Sequence, residues 1–237
     1  LEHLAGEGWQ RFRDLRPVAT GLDRYHPVQL PRFDHQPQQN REVLVVIGGT
    51  RETAQNIAIR GGWKDVIWST LDDLAAMRRR INQMEPERIS VCSGLDELAL
   101  GARHAIAAVL RDAPNHTIVT SDDVIHWHRS DNGSGGFQNR QYRCALSSIR
   151  LFTRGSIGGL ISLPAKLLQE EMLQNQYASL HGLKLDLALH GYRHGCPVKH
   201  CSQPLLKTSA LHNPSVPEQG WPTERAPFSD QQRNELT

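Results

Sequence analysis

Three short stretches of this chain place residues with reactive or binding groups at informative spacings. The first is Gly48-Gly49-Thr50, directly after the apolar run Val43-Leu44-Val45-Val46-Ile47. In open α/β sheets, ligands sit beyond the carboxyl ends of strands. A Gly-Gly turn there lets backbone N–H groups face a phosphate or an oxyanion at a helix start. The Gly-Lys-Ser/Thr ending of a phosphate-binding loop is absent, and so is the third glycine of a dinucleotide fingerprint. The competing explanation is a tight strand-to-helix turn with Thr50 as its cap. The second stretch is Ser93-Gly94-Leu95-Asp96-Glu97, again after a buried-strand pattern. It would lie beside the first turn on one edge of the sheet. Asp96 and Glu97 equally suit the acidic first turn of a helix. The third is Asp186 and His190, four apart. An acid so placed can orient an imidazole, or simply form a pair on a helix surface.

Two further groupings carry less. His190, His194, Cys196, His200 and Cys201 hold the right atoms for zinc, but the usual close Cys-x2-Cys pair is missing. No metal and no cofactor is assigned from them. His126-Trp127-His128 alternates as a strand does, which suits a site wall or an exposed edge. Arg78-Arg79-Arg80 is the one basic run, read as a solvated helix face, with no interleaved aromatics to stack single-stranded nucleic acid.

The elements that must position these residues follow from periodicity. Val43 to Ile47 and Arg88 to Cys92 are continuous apolar runs, the mark of strands covered on both faces. Between them, Leu71, Leu74, Met77, Ile81 and Met84 give a helix with one apolar face, ended by Pro86. Arg51 to Arg60, Ala99 to Leu110, Tyr142 to Phe152 and Leu163 to Tyr177 read as helices. Asp65 to Trp68, Thr117 to Val119 and Val124 to Trp127 read as strand material, and residues 129–140 as a loop. The alternation argues an α/β fold, a three-layer sandwich with a central parallel sheet and helices on both faces. Val43–Ile47 and Arg88–Cys92 should be neighbouring parallel strands. Residues 1–40, with three prolines between His26 and Pro37, read as an extended arm. Residues 41–201 form the domain, and 202–237 a Pro/Gln-rich tail without its own core.

Composition narrows the function classes. Hydrophobic residues are 38% and aromatics 6%, lean enough that part of the length should lie outside the core. Lys and Arg number 27 against 25 Asp and Glu. A net charge of +2 does not support a nucleic-acid coat, although a local phosphate-binding face remains compatible. No apolar run is long enough to span a bilayer. Four cysteines are too few for a disulfide scaffold and point to a reducing, intracellular compartment.

Taken together, the two strand-end turns, the amphipathic helix between them and the late acid–histidine pair resemble the SGNH (GDSL-type) hydrolase family. The likeness covers residues 42–195, about two thirds of the chain. It implies a nucleophile at Thr50, where the family carries serine, with His190 as base and Asp186 orienting it. It places Asp96 where the family has an oxyanion asparagine, and draws on backbone N–H groups at Thr50 and Gly62. Gly48, Gly49 and Gly94 complete that turn set. Every block is altered, and a carboxylate at Asp96 cannot donate to an oxyanion unless protonated. The preferred reading is thus a catalytically degenerate domain serving binding or homo-oligomeric assembly through its arms, of the kind found in retroelement or viral structural proteins. Leu205, Leu206, Leu211, Val216, Trp221 and Phe228 would anchor on a neighbouring subunit. The alternatives are an acyl-ester hydrolase, and a nucleotide-binding α/β domain using the Gly48-Gly49 turn.

Overall fold

A computed structural model describes residues 30–33, 41–127, 137–141, 157–169, 177 and 179–209. Its strands are β1 (Glu42–Ile47), β2 (Asp65–Ser69), β3 (Arg88–Ser93), β4 (Glu97–Leu98), β5 (Ile118–Trp127), β6 (Phe137–Gln141), β7 (Ile161–Pro164) and β8 (Val198–Ser209). Its α-helices are α1 (Arg51–Gly61), α2 (Leu74–Met84), α3 (Ala102–Leu110), α4 (Lys166–Gln169) and α5 (Leu180–Arg193). The fold is α/β.

The strands form one sheet in the order β2-β1-β3-β7-β5-β8-β4, with β6 paired to β5. As the apolar runs predict, β1 and β3 are parallel neighbours, with Val43 opposite Ile89 and Val45 opposite Val91. β2 is parallel to β1 on its other side. Beyond β3 the sheet becomes mixed. β7 runs antiparallel to both β3 and β5, while β5 and β8 are parallel. Two successive reversals leave β5 pointing the same way as β1 and β3. The carboxyl ends of β1, β2, β3, β5 and β8 therefore share one edge and their starts the other, while β4, β6 and β7 run the opposite way.

β1 shows why the sheet has helices on both faces. All six of its residues are buried. Val43, Val45 and Ile47 pack with Leu74, Met77 and Ile81 of α2 and with Leu183, Leu187 and Ala188 of α5. Leu44 and Val46 pack on the other side with Ala54, Ile57 and Ala58 of α1 and Ala102 and Ile106 of α3. Successive strand side chains point to opposite faces, so an unbroken apolar run needs a layer on each.

Several boundaries differ from the periodicity reading. Leu163 lies in β7, not in a helix; the helix begins at Lys166, and residues 170–176 lie outside the described residues. Phe137 to Arg140 belong to β6 rather than to a loop. The expected helix at 142–152 is outside the described residues. The domain does not stop at residue 201, since β8 continues to Ser209. Leu205 and Leu206 are fully buried in this chain's own core, so neither is an anchor for a neighbouring subunit. Their spacing looked isolated because β8 is interrupted by polar residues at a sheet irregularity. The remaining tail anchors, Leu211, Val216, Trp221 and Phe228, lie outside the described residues. Of the N-terminal arm, residues 30–33 are described. Leu30 and Phe33 pack against the α1/α3 layer, and Arg32 bridges to Leu100. Among the described residues no helix is long and apolar enough to cross a membrane.

Candidate functional site at the carboxyl edge of the sheet

The two glycine turns do meet. Gly48 and Gly49 both have positive φ, 80° and 66°, a region where a side chain is strained. Gly94 N–H donates to the Ile47 carbonyl at 2.9 Å, which draws the end of β3 against the end of β1. A Cβ on Gly94 would lie 2.2 Å from the Gly48 oxygen, and one on Gly49 would lie 2.8 Å from the Gly94 oxygen. Only glycines permit this backbone contact. The Trp68 indole N–H holds the Gly48 carbonyl at 3.1 Å.

Thr50 follows as the N-cap of α1. Its hydroxyl accepts from Thr53 N–H at 3.1 Å, and Thr53 Oγ1 accepts from Thr50 N–H at 2.8 Å. This reciprocal capping satisfies two helix-end donors. It also commits the Thr50 hydroxyl and N–H locally, which removes them from the roles of nucleophile and oxyanion donor. Gly62 belongs to the far end of the same helix. It is the left-handed C-cap, φ 89°, and its N–H already donates to Ala58 and Ile59. An 11-residue helix separates it from Thr50, about 16 Å at 1.5 Å per residue.

Asp96 lies just past the β3 turn and is buried. Its Oδ2 accepts from Ser93 N–H at 3.1 Å. Burial pushes its carboxyl up to about 6; Lys184, a hydrogen bond with Thr208 and the Ser93 N–H oppose that rise, and Asp123 adds to it. Asp96 is thus the centre of a buried polar cluster rather than an acid in a helix start. Glu97, beside it, is exposed in β4 and pairs with Arg60 at 2.7 Å.

The rest of the cluster comes from β5, β8 and α5. β5 shifts register against β8 between Ser121 and Asp122 and again between Asp122 and Asp123. Such bulges re-aim side chains, and here consecutive acids find different partners. The Asp123 carboxylate accepts from Gly159 N–H at 3.0 and 2.9 Å. Asp122 Oδ1 lies 3.0 Å from His200 Nε2, while His200 Nδ1 lies 3.3 Å from Thr120 Oγ1. Lys184, in the first half of α5, donates to the Gly158 and Gly159 carbonyls at 3.1 and 2.8 Å. Asp122, Asp123 and Lys184 are buried, which is rare for these types without partners. Residue reasoning passed over them. The available signal was Thr120-Ser121-Asp122-Asp123, four consecutive polar residues flanked by Ile118-Val119 and Val124-Ile125.

Asp186 and His190 do not join the glycine turns. Asp186 accepts from the Tyr177 hydroxyl at 2.5 Å. His190 lies against His194, ring centroids 4.3 Å apart and planes tilted by 60°. The next residue, Gly191, packs on Ile118 and Leu167. Ile118 is the first residue of β5, so His190 sits at the edge of strand starts, opposite the edge that carries Thr50. A six-residue strand lies between the two edges, about 20 Å. The acid–histidine spacing was right for a helix face, but sheet direction sends that face to the wrong end. The zinc set is divided as well. Cys196 packs in the α2/α5 layer, Cys201 in the α1/α3 layer, and His200 is held by Thr120 and Asp122. Among the described residues no group of three or more His, Cys, Asp or Glu is arranged to hold a metal. The side chains of residues 126–128 lie outside the described ones.

No family model matches the chain, and no curated protein matches it. Solved structures are similar in part. A crystal structure of a protein from STIV shares 8% identity and a TM-score of 0.39, over 68% of this chain and 82% of that one. The CMP:2-keto-3-deoxy-manno-octonic acid synthetase complexed with CTP shares 11% and 0.36, over 74% and 92%. The inositol-1-phosphate CTP transferase from T. maritima shares 13% and 0.35, over 73% and 72%. At such scores these likenesses say nothing about the site of this chain, whose chemistry rests on its own geometry.

Proposed function

We propose that the chain is a nucleotide-binding α/β domain that receives phosphate groups at the Gly48-Gly49 turn. One observation carries this reading. The turn opens onto the N-terminus of an 11-residue helix, and among the described residues the N–H groups of Gly49, Arg51 and Glu52 have no acceptor. Three open donors at a helix start, with the helix dipole behind them, favour a bound anion. A Cβ at Gly48 would meet nothing within 4 Å, so the approach to the turn is open. Arg51 adds an exposed cation at the same place. The buried Asp96–Lys184–Asp123 cluster fixes β3, β5 and α5 behind the turn.

The test is calorimetric titration of the full chain with ATP, CTP, GTP and UTP. At least one should bind, and Arg51→Ala should weaken it by about tenfold, about 1.4 kcal/mol. Failure of all four to bind at millimolar concentration would remove the reading. The hydrolase alternative loses its convergence of Thr50 and His190 and is not carried further. Its expected signature, turnover of a p-nitrophenyl ester abolished by His190→Ala, should be absent.

A further inference from the structure

We infer that a recess at the opposite edge of the sheet is a second binding site, for a small phosphate-type oxyanion, with Arg88 as its buried cation. This goes beyond the nucleotide reading and does not depend on it. The recess has a volume of about 410 Å³ and is lined by Pro86, Glu87, Arg88, Asn115, His116, Pro164 and Lys166. Arg88 opens β3 and is 3% exposed. Its Nη1 donates to the Asn115 carbonyl at 2.9 Å, its Nη2 to the Thr117 carbonyl at 2.8 Å and to Ser162 Oγ at 3.3 Å, and its Nε to Ser162 Oγ at 3.4 Å. A guanidinium has five N–H donors. Four are used, and the fifth is on Nη1, among the atoms of a residue that lines the recess.

All three acceptor atoms are neutral. Among the described residues Arg88 makes no ion pair. The buried carboxylate nearby, Glu42, accepts from the Ser90 hydroxyl at 2.8 Å, pairs with Arg103 at 3.2 Å and accepts from the Ser162 hydroxyl at 3.4 Å, so it reaches Arg88 only through Ser162. Burial accordingly pulls the Arg88 guanidinium below its usual pKa, while Glu42 and Cys196 oppose that shift. A buried cation without a direct counter-ion is costly. An anion in the recess would supply one. Lys166 and His116, both exposed on the rim, add an ammonium group and a ring N–H, and Glu87 subtracts one charge. A small, multiply charged oxyanion suits that balance, and guanidinium recognises oxyanions with directed hydrogen bonds.

The experiment is equilibrium dialysis of the full chain against radiolabelled inorganic phosphate at constant ionic strength. Wild type should bind with a Kd of about 1 mM, the scale of a few directed contacts. The double variant Lys166→Ala/His116→Ala, which alters only exposed side chains, should bind at least about fivefold more weakly. Arg51→Ala, an exposed substitution at the glycine turn, should keep this binding, which separates the recess from that turn. Unchanged binding in the double variant, or binding lost only in Arg51→Ala, overturns the inference. So does the absence of phosphate binding by wild type.

Discussion

The two edges of the sheet bury charge in opposite ways. At the carboxyl edge the buried charges are mainly acids. Asp96 and Asp123 accept from backbone N–H groups of Ser93 and Gly159, with Lys184 between elements. At the edge of strand starts they are mainly bases. Arg88 donates to the carbonyls of Asn115 and Thr117, and Arg103 to Glu42. Asp96, Asp123, Lys184 and Arg88 all use backbone groups, whereas Glu42 is held by the side chains of Ser90, Ser162 and Arg103. The difference lies in titration. The acid edge contains a carboxyl poised near neutrality, whereas a guanidinium stays charged at any working pH. The carboxyl of Asp96 therefore makes the glycine-turn edge responsive to pH near neutrality.

The largest expected effect breaks the basic edge. Glu42→Gln removes the one carboxylate that serves Ser90 and Arg103 and lies close to Arg88. Losing one partner of a buried ion network costs about 3–5 kcal/mol, measurable as a fall in the urea midpoint. A loss below 1 kcal/mol would show that the arginines are held by neutral acceptors alone.

Next comes the contact between the glycine turns. Gly94→Ala places a methyl 2.2 Å from the Gly48 oxygen, so β1 and β3 must separate at that end. The cost should be about 2–3 kcal/mol, in the range of overpacked or strained sites. Gly48→Ala meets no atom within 4 Å and pays only for its positive φ, about 1 kcal/mol. Equal losses in the two variants would mean that the close approach is not what fixes the turn.

Asp96 sharpens the contrast through pH. Its carboxyl is raised to about 6 in the folded chain, against about 3.9 when unfolded. Below pH 4 it is neutral in both states, and its contribution to stability is fully present. That contribution is lost as pH rises through 6, because ionisation is easier in the unfolded chain. Asp96→Asn should therefore stabilise the protein by about 2 kcal/mol at pH 7.5 and by nearly nothing at pH 4. Chemical denaturation at the two pH values reads this directly. A variant that is destabilised at pH 7.5 would show Asp96 to be a stabilising carboxylate.

The smallest effect is at the cap. Thr50→Ala should cost about 1 kcal/mol through lost capping of α1, with no change in ester turnover. A large change in turnover at constant stability would restore Thr50 as a nucleophile.

How much of this was legible beforehand depends on sequence distance. The turns at Gly48-Gly49 and Gly94 were readable because each follows an apolar run and uses a residue type that local backbone demands. Their contact followed once two adjacent parallel strands were inferred. The cluster of Asp96, Asp123, Lys184 and Thr208 was not readable. Its members lie on the turn after β3 and on β5, α5 and β8, and they meet only because β7 inserts antiparallel between β3 and β5 and β8 pairs with β5.

The sequence by itself determined the α/β class, the layered core around β1 and the parallel β1–β3 pair, because periodicity and strand-end glycines are local signals. Tertiary structure alone decided the rest. The same helix spacing that placed Asp186 and His190 on α5 says nothing about which end of the sheet the helix reaches. Strand direction set that end, and it put the histidine with the arginines and the glycines with the acids.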